Sequence, residues 1–273
     1  MMKIAYYLPD LKNPFWNEIT QGVKEEAGQM NHSLKTFSAD DQSEKQIAQL
    51  MDYETERPGA VLISPIDIDK VAQICRKIMQ NNIPMVAIDQ HMIHNVNSSI
   101  ISGNLTGGIM AAKYIGEKSS EMKSIVHIKA PSGYENATLR RKSFISETER
   151  QNNLIVKTVE GGCDREITKA QMRQCLNENI QFNAIFAEND VMALGAIDAL
   201  KEKNYAPWPL VVGFDGIPEA IRAIENHEMS ATVKQNPFAM GKKAVELVDR
   251  ISRGLEYEEV VNISTRLVTA ENS

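Results

Sequence analysis

Cysteine is scarce in this chain, and what there is forms no pattern. The three residues, Cys75, Cys163 and Cys175, have no metal-ligand spacing and no even-numbered disulfide framework. Cys75 and Cys175 read as structural thiols within helical segments. Long apolar runs are also missing. None approaches the ~20 residues that span a bilayer, and the opening Met1-Met2-Lys3-Ile4-Ala5-Tyr6-Tyr7-Leu8 is too short for a signal peptide and reads as a first strand. Two expectations remain, a cytoplasmic protein or one whose targeting segment has been removed, and the doubled Met favours removal. No Lys/Arg block is present that could track phosphates. The 36 acidic and 30 basic residues are spread along the chain for a net charge of −6, which argues against nucleic-acid binding by this segment.

Catalytic signatures are absent too. The five histidines form no metal pair on a helical face, and no Gly-x-Ser-x-Gly elbow occurs. Asn104-Leu105-Thr106-Gly107-Gly108 lacks the lysine of a phosphate loop and the glycine spacing of a dinucleotide site, so its glycines read as close helix packing. His91 lies near Asp89 as a conceivable acid/base pair, yet a surface or supporting histidine explains it as well. No nucleophile for a hydrolase stands out. No catalytic residue, cofactor or metal is expected.

What is there is an alternation. At 273 residues the chain exceeds one hydrophobic core, and 42% apolar with 24% charged residues is ordinary for a globular protein, so two domains are expected. Short apolar strands alternate with amphipathic helices, the pattern of an α/β protein with parallel, doubly wound sheets covered on both faces. Strands are expected at 3–8, 33–38, 60–64, 85–88, 98–102, 124–129, 154–159, 184–187, 210–214 and 231–233. Helices are expected after Asn13, Ser43 and Asp190. Loops of two or three residues place helix N-termini beside strand carboxyl ends, where free N–H groups favour ligand oxygens. No low-complexity linker divides the halves. The boundary is therefore expected to be crossed by strands, with Gly103 and the segment 235–237 as candidate crossings.

The halves also match. Met85-Val86-Ala87-Ile88-Asp89 and Leu210-Val211-Val212-Gly213-Phe214-Asp215 each follow a similar strand-loop-helix pattern and each end in aspartate. In open α/β sheets ligands bind outside the strand carboxyl ends, where an Asp accepts hydroxyl hydrogen bonds. A cleft binder of a small polyhydroxylated molecule is expected. Asn13-Pro14-Phe15-Trp16 follows the first strand, and its rings suit the C–H face of a sugar. Either aromatic alone could simply staple the helix to the core, so one is expected to pack and the other to reach the cleft. Gln90 follows Asp89. In Glu188-Asn189-Asp190, Asn189 is the ligand candidate and Asp190 the expected helix cap. Gly213-Phe214-Asp215-Gly216 could be an ordinary turn; its pairing with Asp89 gives it a functional reading, with Gln235 in the next strand-turn. In Leu139-Arg140-Arg141-Lys142 the last two read as a solvated face, while one arginine could donate a planar fork to ligand oxygens.

Taken together, Asn13-Pro14-Phe15-Trp16, Ile88-Asp89, the run 185–196, Val211-Val212-Gly213-Phe214-Asp215-Gly216 and Ala231-Thr232-Val233-Lys234-Gln235-Asn236-Pro237 resemble the type I periplasmic sugar-binding proteins of ABC importers, in particular the D-ribose-binding-protein-like group. The resemblance runs along essentially the whole chain. It implies two Rossmann-like lobes, 1–103 plus 236–263 and 104–235 plus 264–273, joined by three hinge crossings, with a last strand near Leu267 rejoining the second lobe. It implies hinge closure on a monosaccharide, a membrane permease as partner, a periplasmic or extracytoplasmic location and a monomer. Matching positions give Asn13, Phe15, Trp16, Asp89, Arg140, Asn189, Asp215 and Gln235 as ligand contacts, with Gln90 beside them. Gln90 stands where the ribose proteins have arginine, Cys163 where a second-lobe aromatic is found, and Pro9 where a hydroxyl residue is expected. The ligand could then be a different pentose, a hexose, a polyol or a furanose-like signal molecule. Competing readings are the effector domain of a LacI-type regulator, the ectodomain of a sensor, and, weakest, a sugar-modifying enzyme around Asp89 and His91.

Overall fold

The computed structural model describes residues 1–92, 94–118, 121–131 and 134–272. Along the chain, the elements are β1 (Lys3–Leu8), α1 (Pro14–Gln29), β2 (Ser33–Ser38), α2 (Ser43–Met51), α3 (Tyr53–Glu56), β3 (Ala60–Ile63), α4 (Ile68–Gln80), β4 (Met85–Ile88), β5 (Ser98–Ser102), α5 (Asn104–Glu117) and β6 (Ser124–Lys129). They continue with α6 (Glu135–Arg150), β7 (Leu154–Glu160), α7 (Arg165–Asn177), β8 (Ala184–Ala187), α8 (Asp190–Glu202), β9 (Leu210–Asp215), α9 (Pro218–Glu225), β10 (Ala231–Lys234), α10 (Pro237–Ser252), β11 (Val260–Ile263) and β12 (Arg266–Thr269). Every strand expected from apolar patterning is present to within a residue or two. The alternation did not signal α3 or β11; Val260-Val261-Asn262-Ile263 is an edge strand with one buried residue, so little of its burial is written as apolar sequence.

The chain forms two compact units. Unit 1 comprises Met1–Ser102, Gly133–Asn136 and Asn236–Ser264; unit 2 comprises Gly103–Ser132, Ala137–Gln235 and Thr265–Ser273. Unit 1 is built on a six-stranded sheet in the order β11-β5-β4-β3-β1-β2, with all pairings parallel. Unit 2 has the order β12-β10-β9-β8-β6-β7, parallel except for the β10–β12 pair. Each sheet is thus an α/β open sheet whose strands are buried on both faces.

Strand alternation sorts the core of unit 1. Tyr6 and Leu8 face the cluster with α1 and α10, while Ala5 and Tyr7 face the cluster with α2, α3 and α4. Helices α1 and α10 meet backbone to backbone, because a methyl group at Gly22 would overlap the carbonyl of Phe238, and one at Gly241 the carbonyl of Ile19. The same two helices begin alike. Asn13 and Asn236 cap them by accepting from the backbone N–H of Phe15 and Ala239, and Pro14 and Pro237 occupy the first turn, where no N–H is needed. In unit 2 the rings of Phe144 and Phe186 stack at 3.9 Å between centroids in a core that also holds Phe214 and Val233.

Candidate functional site

In unit 1 the site strand is β4. Its aspartate, Asp89, has φ of 69°, a left-handed backbone that short polar side chains tolerate better than others, and its N–H is fixed to the carbonyl of Ile100 at 2.8 Å. The buried Asp89 carboxylate accepts from the side-chain amide of Asn136. Asn136 also receives a bond from Gln90 Nε2 at 3.4 Å, and its backbone N–H donates to Gln90 Oε1 at 3.3 Å. Gln90 and Asn136 therefore form a neutral amide frame around Asp89. Behind it, Tyr6 and Ser64 pair their hydroxyls at 3.0 Å, and Gln46 bridges the Ser64 carbonyl and the Ile66 N–H, both at 2.9 Å. Burial pushes the Tyr6 phenol well up, and the Asp89 charge adds to this.

Asn13 lies at the start of α1 with its Oδ1 engaged as the cap, and its own N–H donates to Asp10 at 2.9 Å. Phe15 and Trp16 stand side by side in the first turn of α1. Both are buried in one apolar cluster, in an edge-to-face contact with centroids 5.0 Å apart. Two large rings about 100° apart on a first helical turn can share one cluster when the edge of one meets the face of the other. The Nε2 of His91 is buried without a hydrogen-bond partner among the described residues, so it forms no acid/base pair with Asp89 through that atom.

In unit 2 the site strand is β9, and Asp215 has φ of 119°. Its Oδ1 accepts from Gln235 Nε2 at 2.7 Å and from Arg140 Nη1 at 3.5 Å. Arg140 is buried. Its Nε donates to Asn104 Oδ1 at 2.6 Å, its Nη1 to the Glu188 carbonyl at 2.8 Å, and its guanidinium lies 3.8 Å from the centroid of the Phe214 ring. Asp215, Arg140 and Gln235 thus come together in unit 2. Asn104 was missed, because an Asn opening a glycine-rich helix gives no sign of which side chain it will meet.

The run Glu188-Asn189-Asp190 differs most from expectation. Asn189, not Asp190, caps α8, its Oδ1 accepting from the Met192 N–H at 2.8 Å. What Asn189 can offer a ligand is its amide N–H. Asp190 is the first helical residue and points inward. Its Oδ2 accepts from the backbone N–H of Gly216 at 2.7 Å and of Ile217 at 2.9 Å, and its Oδ1 from the Thr232 hydroxyl at 2.7 Å. A side chain caps a helix from the extended residue just before it, and that residue here is Asn189, while Asp190 is already helical. Arg141 does not lie on a solvated face either. It forks onto the buried Glu188 carboxylate, Nε to Oε1 at 2.6 Å and Nη2 to Oε2 at 2.9 Å, while Lys142 is exposed as expected.

Glu188 and Asp190 illustrate opposite outcomes of burial. Burial alone raises the Glu188 carboxyl, but hydrogen bonds from His127 and Arg141 overcome it and hold the group below its usual range. For Asp190, burial and the charge of Asp215 outweigh three hydrogen bonds and push the carboxyl up to about 8. Cys75 and Cys175 are buried in α4 and α7, and burial pushes the Cys75 thiol up to about 12. Among the described residues no group of three His, Cys, Asp or Glu side chains is placed to hold a metal, and no helix is long and apolar enough to cross a membrane. Each unit therefore presents a charged acceptor beside amide groups at a strand end, a set suited to hydrogen-bonding hydroxyls.

The chain is similar to known proteins along its length. The ribose import binding protein RbsB of Salmonella typhimurium is 29% identical over 266 residues, covering 97% of this chain and 90% of its own length. The ribose operon repressor of Halalkalibacterium halodurans is 27% identical over 277 residues, 99% of this chain and 79% of its own. An ABC transporter solute binding protein from Bacillus halodurans, solved with bound myo-inositol, has the same fold, with a TM-score of 0.93 at 23% identity over 99% of this chain and 95% of that one. Residues 4–256 match the family described as periplasmic binding protein domain, over nearly the whole of both units, and the chain belongs to that family.

Proposed function

We propose that this chain is the solute-binding protein of an ABC importer, capturing a monosaccharide or similar small polyol by hinge closure and delivering it to a membrane permease from an extracytoplasmic compartment. It carries out no chemistry on its cargo. The observation that carries the reading is the twin arrangement of Asp89 and Asp215, each in left-handed backbone at a strand end and each bonded to a side-chain amide. In this reading Asn13, Phe15, Trp16, Asp89 and Gln90 contact the ligand from the lobe 1–103 plus 236–263. Arg140, Asn189, Asp215 and Gln235 contact it from the lobe 104–235 plus 264–273. The likeness to RbsB, a ribose import binding protein, supports the sugar class. Gln90 already serves Asn136 as both donor and acceptor, so it brings amide rather than guanidinium chemistry to the ligand.

A thermal-shift screen against pentoses, hexoses, polyols and furanoses tests this, because a ligand that binds only the native state raises the melting temperature. One or two strong shifts, with the sugar recovered unchanged after calorimetry, are expected. The likeness to a ribose operon repressor favours a second reading, the effector domain of a regulator. A shift with phosphorylated sugars alone would move the assignment there. In the importer reading the chain is a monomer that binds no nucleic acid, which light scattering and a DNA-shift assay check.

A further inference from the structure

We propose that Asp190 is a positioning residue for Asp215: it contacts no ligand and holds the turn after β9 in its left-handed form, so that the Asp215 carboxylate is aimed before ligand arrives. The inference rests on the reading of Asp215 as a ligand acceptor.

Asp215 and Gly216 are successive residues with positive φ, 119° and 75°. For a residue other than glycine such a conformation is strained and persists only where the surroundings over-determine it. The Asp215 carbonyl accepts from the Gln235 N–H at 3.0 Å. The next two backbone N–H groups, of Gly216 and Ile217, both donate to one oxygen, Oδ2 of Asp190. The other oxygen is held by Thr232 from β10. Both oxygens of the side chain are thus engaged, Oδ2 by two backbone N–H groups and Oδ1 by one hydroxyl. The surrounding sequence also leaves it room: a methyl group at Gly213 would overlap Asp190 Oδ1. Asp190 is wholly buried, in a place where a second carboxylate beside Asp215 is electrostatically unfavourable, so its retention is explained by the turn it holds.

The test has two arms. On ligand-free protein, amide hydrogen exchange at Gly216 and Ile217 is expected to accelerate at least about tenfold in Asp190→Ala, with amides of β6 and β8 unchanged. Asp190→Asn, whose oxygen can take both N–H groups and whose NH₂ can donate to Thr232, is expected to stay within about threefold of wild type. Unchanged exchange in Asp190→Ala, or equal acceleration throughout unit 2, overturns the proposal. Should Asp190→Ala not fold, Thr232→Val releases one carboxylate oxygen only and is expected to accelerate the same two amides about threefold; no local change there overturns the proposal as well. In the second arm, calorimetry with D-ribose, D-allose and myo-inositol is expected to show at least about tenfold weaker binding by Asp190→Ala and recovery in Asp190→Asn. Full affinity in Asp190→Ala overturns the proposal. If wild type binds none of the three, it is the sugar reading for this panel that fails, and the exchange arm alone decides whether Asp190 sets the Asp215 turn.

Discussion

In unit 1 the aspartate at the end of the site strand, Asp89, is framed by the neutral amides of Gln90 and Asn136, whereas in unit 2 its counterpart, Asp215, stands beside the Arg140 guanidinium and a second buried carboxylate, Asp190. Both units place an aspartate with positive φ at the carboxyl end of a parallel strand, 69° at Asp89 just after β4 and 119° at Asp215, the last residue of β9. The electrostatic surroundings differ. A βα frame dictates where the strand-end carboxylate emerges, because the sheet fixes strand ends. Which groups surround it depends on the helices and loops that pack there, and the two units recruit different ones. Unit 2 places its ionic groups around the end of β8, where Glu188, Asn189 and Asp190 each serve a different neighbour: helix α6 through Arg141, the start of α8, and the turn after β9.

The two units should differ most when the ionic hub of unit 2 is removed. Glu188→Ala leaves His127, Arg141 and the Ala130 N–H without their shared acceptor and is expected to destabilise the protein by about 3–5 kcal/mol in urea unfolding. A cost near zero would mean that the hub contributes no more than the neutral frame of unit 1. Next come the two aspartates themselves. Asp89→Asn and Asp215→Asn keep a side chain that tolerates positive φ but remove the charge, and each should weaken sugar binding by about 1.5–3 kcal/mol, roughly 10–150-fold by calorimetry. Losing affinity in only one of the pair would show that the units do not share the ligand evenly, and retention in both would sink the assignment. Asn136→Ala probes the neutral frame alone. Its removal leaves a buried carboxylate and amide short of partners, with an expected stability loss of about 1–3 kcal/mol, smaller than for Glu188.

The smallest expected effect is in pH dependence, and its sign differs between neighbours. Asp190 binds its proton more tightly in the folded protein than in the unfolded chain, so its contribution falls as pH rises from about 4 towards about 8. Asp190→Asn should therefore gain on wild type in thermal stability across that window, and an unchanged difference between pH 5 and 8 would count against the shift. Glu188 has the opposite sign. Its carboxyl is held low, so its contribution is present at neutral pH and is lost as acid protonates it.

Much of the frame was legible because it depends on local pattern. Strands β1 to β10 came from short apolar runs, and the Asn-Pro start of α1 from capping chemistry. Arg140, from the second turn of α6, meets Asp215 and Gln235 at strand ends within one unit. Other features are set by tertiary contacts. The exchange of roles between Asn189 and Asp190 turns on which residue is extended, a one-residue matter that propensity does not resolve. Asn104 and Asn136 meet their partners across separations of 36 and 47 residues, and no local signal encodes those distances. Arg141 looked solvated because a charge run usually is, until Glu188 proved to be buried within its reach.

The sequence by itself determined the α/β alternation, the doubling of a strand that ends in aspartate, and the absence of catalytic and metal patterns, since each is written in periods of a few residues. Tertiary structure decided what those aspartates meet: amides around one, a guanidinium and a second carboxylate around the other, both aromatics in one core cluster, and a carboxylate at 190 holding the turn at 216 and 217. The reason is range. Helix and strand patterns depend on neighbours along the chain, while hydrogen-bond partners and charge balance depend on which distant residues the packed sheets bring within about 3 Å.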